Sequence, residues 1–102
     1  MNSVETTLYD SLLTNGNLNT IESFLLSKIY FLDKGNGCTE TNYYFSKLVN
    51  RSIDRISKII SSLKKKGYVN VDLIYVKNKK QIDKRIITCT DKFYKIAGIN
   101  IK

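Results

Sequence analysis

The spacing of the apolar residues changes at Gly67, and this change limits the folds that the chain can adopt. The apolar positions before it, which recur at intervals of three and four, are Ile53, Ile56, Ile60 and Leu63. The apolar positions after it, which alternate with polar residues, are Val69, Val71 and Leu73. The first spacing predicts a helix with those four residues facing the core, and the second predicts a half-buried strand. A helix that ends at a glycine and leads directly into a strand is therefore expected here.

Two helices are predicted nearer the start of the chain. The first runs from Ser3 to Leu13, and Asn15-Gly16 ends it because both residues favour the left-handed conformation. Asn19 caps the second, and Glu22 stands three residues later, as a capping box requires. The apolar spacing carries this second helix to about Leu32.

A third helix and a turn lead into the helix that ends near Gly67. The third helix spans roughly Thr41 to Val49, with Thr39 and Thr41 as alternative caps. Asn50-Arg51 makes the turn, and Ser52 caps the fourth helix. Lys64 to Lys66 end that helix, where cations are favoured by the helix dipole.

The strand after Gly67 is predicted to return as a hairpin. Its loop is Lys77 to Lys80, and Gln81 to Cys89 forms the second strand. If the segment before the third helix pairs with that strand, Cys38 and Cys89 lie close together as free thiols. The last segment, Asp91 to Lys102, has apolar residues without a clear period, and either packs on the core or joins a partner subunit.

Helix, turn, helix and hairpin in this order predict an α+β fold, a winged helix-turn-helix with an extra N-terminal helix and a basic β-hairpin wing. At 102 residues the chain is expected to form a single domain. Its parts are the N-terminal helix (1–16), the winged helix-turn-helix (17–89) and a C-terminal tail (90–102). The stripe Val4, Leu8 and Leu12 with the tail is a candidate dimer surface; alternatively, the first helix completes the core of a monomer.

Positive charge is concentrated past residue 40. Residues 1–40 hold two lysines against five carboxylates, whereas residues 41–102 hold 15 lysines and arginines against four carboxylates. A basic region confined to the predicted helix-turn-helix and wing favours a polyanion-binding face over a merely solvated lysine-rich surface.

The candidate DNA-binding residues come from three places in this predicted fold. The start of the third helix contributes Thr41, Asn42 and Tyr43; the turn and fourth helix contribute Arg51, Ser52, Arg55, Ser57, Lys58 and Ser61; the wing contributes Lys77, Asn78, Lys79, Lys80 and Gln81. Arg55 and Lys58 can reach guanine or phosphate in the major groove, although the helix is poor in base-reading side chains. Wing amides and cations suit a narrow A·T-rich minor groove, so we expect the wing to contribute at least as much affinity.

Other functions are disfavoured by what the sequence lacks. Two cysteines and no histidine cannot form a zinc site, and we expect no metal or cofactor. Without histidine, a Gly-rich phosphate loop or a close pair of carboxylates, an enzyme is not expected. The apolar runs are too short to cross a bilayer and no secretory signal is visible, so a cytoplasmic location without membrane association is expected.

Two runs of the sequence carry a family resemblance. Residues 41–48, TNYYFSKL, and 52–68, SIDRISKIISSLKKKGY, resemble the helix-turn-helix domains of plasmid and phage proteins from low-GC Gram-positive bacteria. The chain departs from them at Ile53 and Asp54, where basic residues are usual. The resemblance implies a protein that binds specific double-stranded DNA as a homodimer and helps assemble a relaxosome at a plasmid origin, with a relaxase or replication protein as a further partner. A transcriptional repressor, a replication-origin binding protein and a protein-interaction winged helix are the alternatives.

Overall fold

Five helices and one antiparallel hairpin follow one another along residues 3–99. The structure is a computed structural model that describes residues 3–99, with side chains from residue 6 onward. The elements are α1 (Ser3–Asn15), α2 (Thr20–Leu32), α3 (Asn42–Val49), α4 (Ile53–Lys65), β1 (Val69–Tyr75), β2 (Ile82–Cys89) and α5 (Asp91–Ala97). The α+β class predicted from the sequence is confirmed, and α5 is an addition to it.

Local signals placed the starts of α2, α3 and α4 correctly. The capping box on α2 is complete, because the Asn19 side chain accepts from the Glu22 amide at 2.8 Å and Glu22 accepts from the Asn19 amide at 3.1 Å. Thr41, rather than Thr39, caps α3. Asn50 takes a left-handed backbone with φ of 54° and turns the chain toward Ser52, which caps α4.

The hairpin is paired from Val69 with Cys89 out to Tyr75 with Ile82, and its register shifts between Ile74 and Tyr75. On the other edge of β2, Cys38 exchanges two backbone hydrogen bonds with Ile87, at 2.8 and 2.9 Å. This is the pairing that the sequence analysis set as the condition for Cys38 and Cys89 to lie close together. Both cysteines are free thiols, and β1 forms the outer edge of the hairpin.

The core draws on all five helices and on the base of the hairpin. Its fully buried residues include Leu12, Leu25, Phe45, Ile56 and Phe93. One assignment on α4 was wrong: Ile53 is 50% exposed, and Ile59 is buried in the core. Ile53 is the first residue of α4, so it lies at the end of the helix, beyond the face that residues 56, 59, 60 and 63 present to the core.

The C-terminal segment is the largest difference from the sequence prediction. Thr90 caps α5 and Gly98 ends it with φ of 71°, a left-handed conformation that suits glycine. The buried rings of Phe93 and Tyr94 pack beside Tyr30 of α2. Of the two alternatives, the described part of this segment packs on the chain's own core.

The first helix also packs within the chain. Leu8 and Leu12 are buried in the core, and α1 contacts both α2 and α5. The side chain of Val4 lies outside the described residues. The expectation that Leu8 and Leu12 form a dimer surface is therefore corrected, because both side chains are already covered.

Candidate nucleic-acid interface

The loop that joins β1 to β2 displays the cations predicted for the wing. The Val76 amide donates to the Gln81 carbonyl at 2.8 Å, and the Lys79 amide donates to the Val76 carbonyl at 3.0 Å. Asn78 is left-handed, with φ of 61°, as asparagine tolerates in tight turns. The five residues Lys77, Asn78, Lys79, Lys80 and Gln81, here called the hairpin tip, are all exposed. None of the tip lysines forms an ion pair with a side chain of residues 6–99.

The exposed side of α4 divides into a centre and two edges. Successive helix residues are rotated by about 100°, so the buried face fixes the direction of the others. Lys58 and Ser61 are exposed near the centre. Toward the hairpin, Ser57 and Ser61 border a cleft with Val71 of β1. Toward α2, Arg55 and Lys58 border a second cleft.

The start of α3 holds both displayed and occupied side chains. Tyr43 is exposed, and the Lys47 ammonium lies 5.4 Å from the centre of its ring. The Thr41 hydroxyl accepts from the Tyr44 amide at 3.1 Å. Asn42 is half-buried, and its Oδ1 accepts from Arg85 at 2.6 Å. Thr41 and Asn42 thus have intramolecular partners, whereas Tyr43 presents its ring to solvent.

Arg51 and Ser52, both predicted to contact DNA, stabilise the turn between α3 and α4. One Arg51 guanidinium nitrogen donates to the carbonyls of Asn50 at 3.1 Å and Val49 at 3.3 Å. The Ser52 hydroxyl accepts from the Arg55 amide at 3.1 Å. Both residues hold the turn through these hydrogen bonds, and both are exposed at its surface.

Arg85 is the residue that sequence reasoning missed. Its two terminal nitrogens donate to Asn42 Oδ1 and, at 2.9 Å, to the Glu40 carbonyl, which attaches β2 to the start of α3. Its buried Nε has no hydrogen-bond partner among the described residues. Burial lowers the pKa of the guanidinium, because the charged form is desolvated. The sequence did offer one signal that Arg85 points toward the body of the protein. It stands two residues before the inward-facing Ile87, and side chains two apart in a strand lie on the same side.

A buried carboxylate connects α2 to the end of α4. Glu22 accepts from the Ser62 hydroxyl at 2.6 Å and from the Lys66 ammonium at 2.9 Å. Burial by itself raises the pKa of Glu22, but the hydrogen bonds from Ser62, Lys66 and the Asn19 amide outweigh it, and the pKa is lowered. Lys66 is therefore an internal partner, unlike the lysines of the tip.

Comparisons with protein-family models, with curated proteins and with solved structures found no match to this chain. Within residues 3–99, no helix is both long and apolar enough to cross a membrane. The same part of the chain holds no group of three or more histidine, cysteine, aspartate or glutamate side chains placed to bind a metal ion.

Proposed function

We propose that this chain is a winged helix-turn-helix protein that binds double-stranded DNA and uses the β1–β2 hairpin as its wing. The order α3, turn, α4 and hairpin supports this assignment. So does the pairing of Cys38 with β2, which adds a third segment beside the hairpin.

The observation that carries the proposal is the unpaired charge at the hairpin tip. Three exposed lysines stand on a six-residue loop, residues 76–81, and none has a carboxylate partner among the described side chains, residues 6–99. Like charges held together without partners repel one another, and a polyanion relieves that repulsion. DNA phosphates supply such charge at regular spacing, and release of their counterions adds affinity.

Within this function we expect the wing to contribute at least as much affinity as α4. The exposed side chains of α4 include four cations, Arg55, Lys58, Lys64 and Lys65, of which one is an arginine suited to base reading. The tip offers three cations and two amides on a loop that can enter a groove. Amides and cations suit an A·T-rich minor groove, where the negative potential is strongest.

The process that we propose is assembly of a nucleoprotein complex at a plasmid origin. It follows from the resemblance to plasmid helix-turn-helix proteins, and in particular to small relaxosome accessory proteins such as TcpK of clostridial conjugative plasmids. A cytoplasmic DNA-binding homodimer without catalytic activity, working beside a relaxase or replication protein, fits that role. Neither Leu8 nor Leu12 would serve as its dimer contact, since both are buried.

Base-analogue duplexes test both DNA binding and the groove used. We expect the protein to bind an A·T-rich duplex of about two helical turns more tightly than a G·C-rich one in fluorescence anisotropy titrations. Inosine lacks the guanine 2-amino group, so an inosine·cytosine pair has the minor groove of A·T and the major groove of G·C. Replacing G·C by inosine·cytosine should restore tight binding if the wing enters the minor groove. Absence of binding to every duplex at about 50 mM salt would overturn the proposed function.

Footprinting on the DNA that encodes the protein tests the process. Protection of repeated sites beside a nick site or replication origin, with unchanged transcription nearby, is the result expected of an origin accessory protein. Protection confined to the promoter of its own gene would instead identify a repressor.

A further inference from the structure

Four large apolar residues are exposed on the half of the hairpin next to its tip. They are Leu73, Ile74, Tyr75 and Ile82, here called the distal patch, and they are 39–54% exposed. At the base of the same hairpin Val69 and Ile87 are buried. Exposed apolar clusters of this kind usually mark an interaction surface.

The distal patch covers both sides of the hairpin. Tyr75 and Ile82 are directly paired, so their side chains share one side. Ile74 precedes Tyr75 in the strand and points to the opposite side, because side chains alternate. Leu73 and Ile82 border an open groove whose other wall is formed by residues 39–42. A patch on both sides suits insertion between two walls better than docking on one flat surface.

The charges around the patch identify the chemistry of its partner. Residues 73–84 contain four lysines, Lys77, Lys79, Lys80 and Lys84, and one carboxylate, Asp83. A second copy placed on this patch would bring two such sets of lysines together, and like charges at close range oppose association. A polyanion with apolar surfaces between its charges complements both the lysines and the patch.

The dimensions of the minor groove place the patch at its rim. Asn78 is three residues beyond Tyr75, so at about 3.3 Å per residue the two lie at most about 10 Å apart along the hairpin. The B-DNA minor groove is about 7.5 Å deep. With the tip at the floor of the groove, Tyr75 and Ile82 lie at its rim, beside the sugars at the top of its walls.

We propose that the distal patch packs against the deoxyribose walls of the minor groove, so that wing binding has an apolar part in addition to its ionic part. This inference rests on the proposed DNA-binding function and extends it. Proteins that enter the minor groove frequently use apolar side chains as well as cations there, commonly inserting them between base steps and bending the duplex. Burying apolar surface releases no phosphate counterions, so this part of the affinity is independent of salt.

The test compares a patch variant with a charge variant across salt concentrations. Tyr75→Thr with Ile82→Thr places a β-branched residue with high strand propensity at both positions and removes most of the exposed apolar surface of that pair. We expect its affinity for the A·T-rich duplex to fall about five- to thirtyfold at every salt concentration. The slope of log affinity against log salt should stay that of the wild type. Lys79→Ala with Lys80→Ala should lower the slope instead.

The test also needs a control variant and a second patch variant. Leu48→Gln removes a comparably exposed apolar side chain from α3 and should leave affinity unchanged. Ile74→Thr, on the opposite side of the hairpin, should reproduce the salt-independent loss even if the double variant fails to fold, which circular dichroism would reveal.

Three results would overturn the inference while the DNA-binding proposal stands. They are unchanged affinity of the folded patch variants, a weaker affinity accompanied by a lower salt slope, and conversion of a wild-type dimer to a monomer in sedimentation. The last result would assign the patch to contact between two copies. Failure of the wild type itself to bind any duplex would remove the proposed function and this inference together.

Discussion

Glu22 shows how one residue couples ionisation to folding. Its carboxylate lies between the start of α2 and the end of α4, where Ser62 and Lys66 donate to it. The folded state lowers the pKa of Glu22 despite its burial, so the ionised form stabilises the fold. That stability is present above the ordinary glutamate value of 4.5 and is lost as the pH falls through the lower folded-state pKa.

Glu22→Gln is therefore expected to reduce the free energy of unfolding by about 1–3 kcal/mol at pH 7, because the neutral amide removes the ion pair with Lys66. The variant should also lose less of its remaining stability between about pH 5 and pH 3 than the wild type does. Urea unfolding across that range measures both effects. Asp10→Asn, at an exposed carboxylate on α1, is the control and should change neither. An undiminished acid-dependent loss in Glu22→Gln would contradict the assignment.

Arg85 carries a second prediction at this scale. Its planar guanidinium reaches Asn42 and the Glu40 carbonyl at the same time, which one lysine ammonium cannot reproduce in that geometry. Arg85→Lys should lower the free energy of unfolding by about 1–2 kcal/mol. Lys84→Ala, at the exposed neighbouring position, should change it by less than about 0.5 kcal/mol. Equal stability of the two variants in urea unfolding would show that Arg85 does not hold the hairpin to α3.

At the scale of elements, the hairpin was predictable at its base and less so at its outer half. The alternation after Gly67 identified β1 correctly, and Val69 is buried as expected. Leu73 continues the same alternation but is exposed, because the hairpin extends past the body of the protein. Alternation reports which side a residue faces, and it does not report where the supporting core stops.

The tip of that element gives a prediction on salt dependence. Lys79→Ala with Lys80→Ala should weaken binding to all duplex sequences and reduce the salt slope by about one unit for each phosphate that the variant no longer neutralises. The matched control is Lys34→Ala with Lys95→Ala, which removes the same charge from exposed positions away from the tip. Anisotropy titrations at several salt concentrations compare the two variants. The same slope in the tip variant and the wild type would refute the wing assignment.

At the scale of the whole molecule, α1 and α5 come from opposite ends of the sequence and together close the core. Phe93 is fully buried, and its ring centre lies 5.4 Å from that of Tyr30 and 5.2 Å from that of Tyr94. Phe93→Ala should therefore cost about 3–5 kcal/mol of unfolding free energy, a large share for a domain of this size. Lys95→Ala, on the exposed side of the same helix, should cost less than about 0.5 kcal/mol. A small change in the thermal unfolding of Phe93→Ala would mean that α5 is not part of the folding unit.

The sequence by itself determined the features that depend on neighbours three or four residues apart. The Asn19–Glu22 capping box, the Ser52 cap and the end of α4 near Gly67 belong to this group. α5 carried the same kind of signal in Thr90 and Gly98, but its seven residues were too few to show a clear apolar period.

Only the tertiary structure decided which distant residues meet. Arg85 and Asn42 are 43 positions apart in the sequence, and Glu22 and Ser62 are 40 positions apart. All four side chains are polar, so residue type alone would place them in solvent, whereas the fold brings each pair into contact. Asn42 was expected to meet DNA, and the tertiary structure adds that its Oδ1 accepts from Arg85. The physical reason is that local backbone preferences act over one helical turn, whereas the partner of a buried charge depends on how the whole chain folds back on itself.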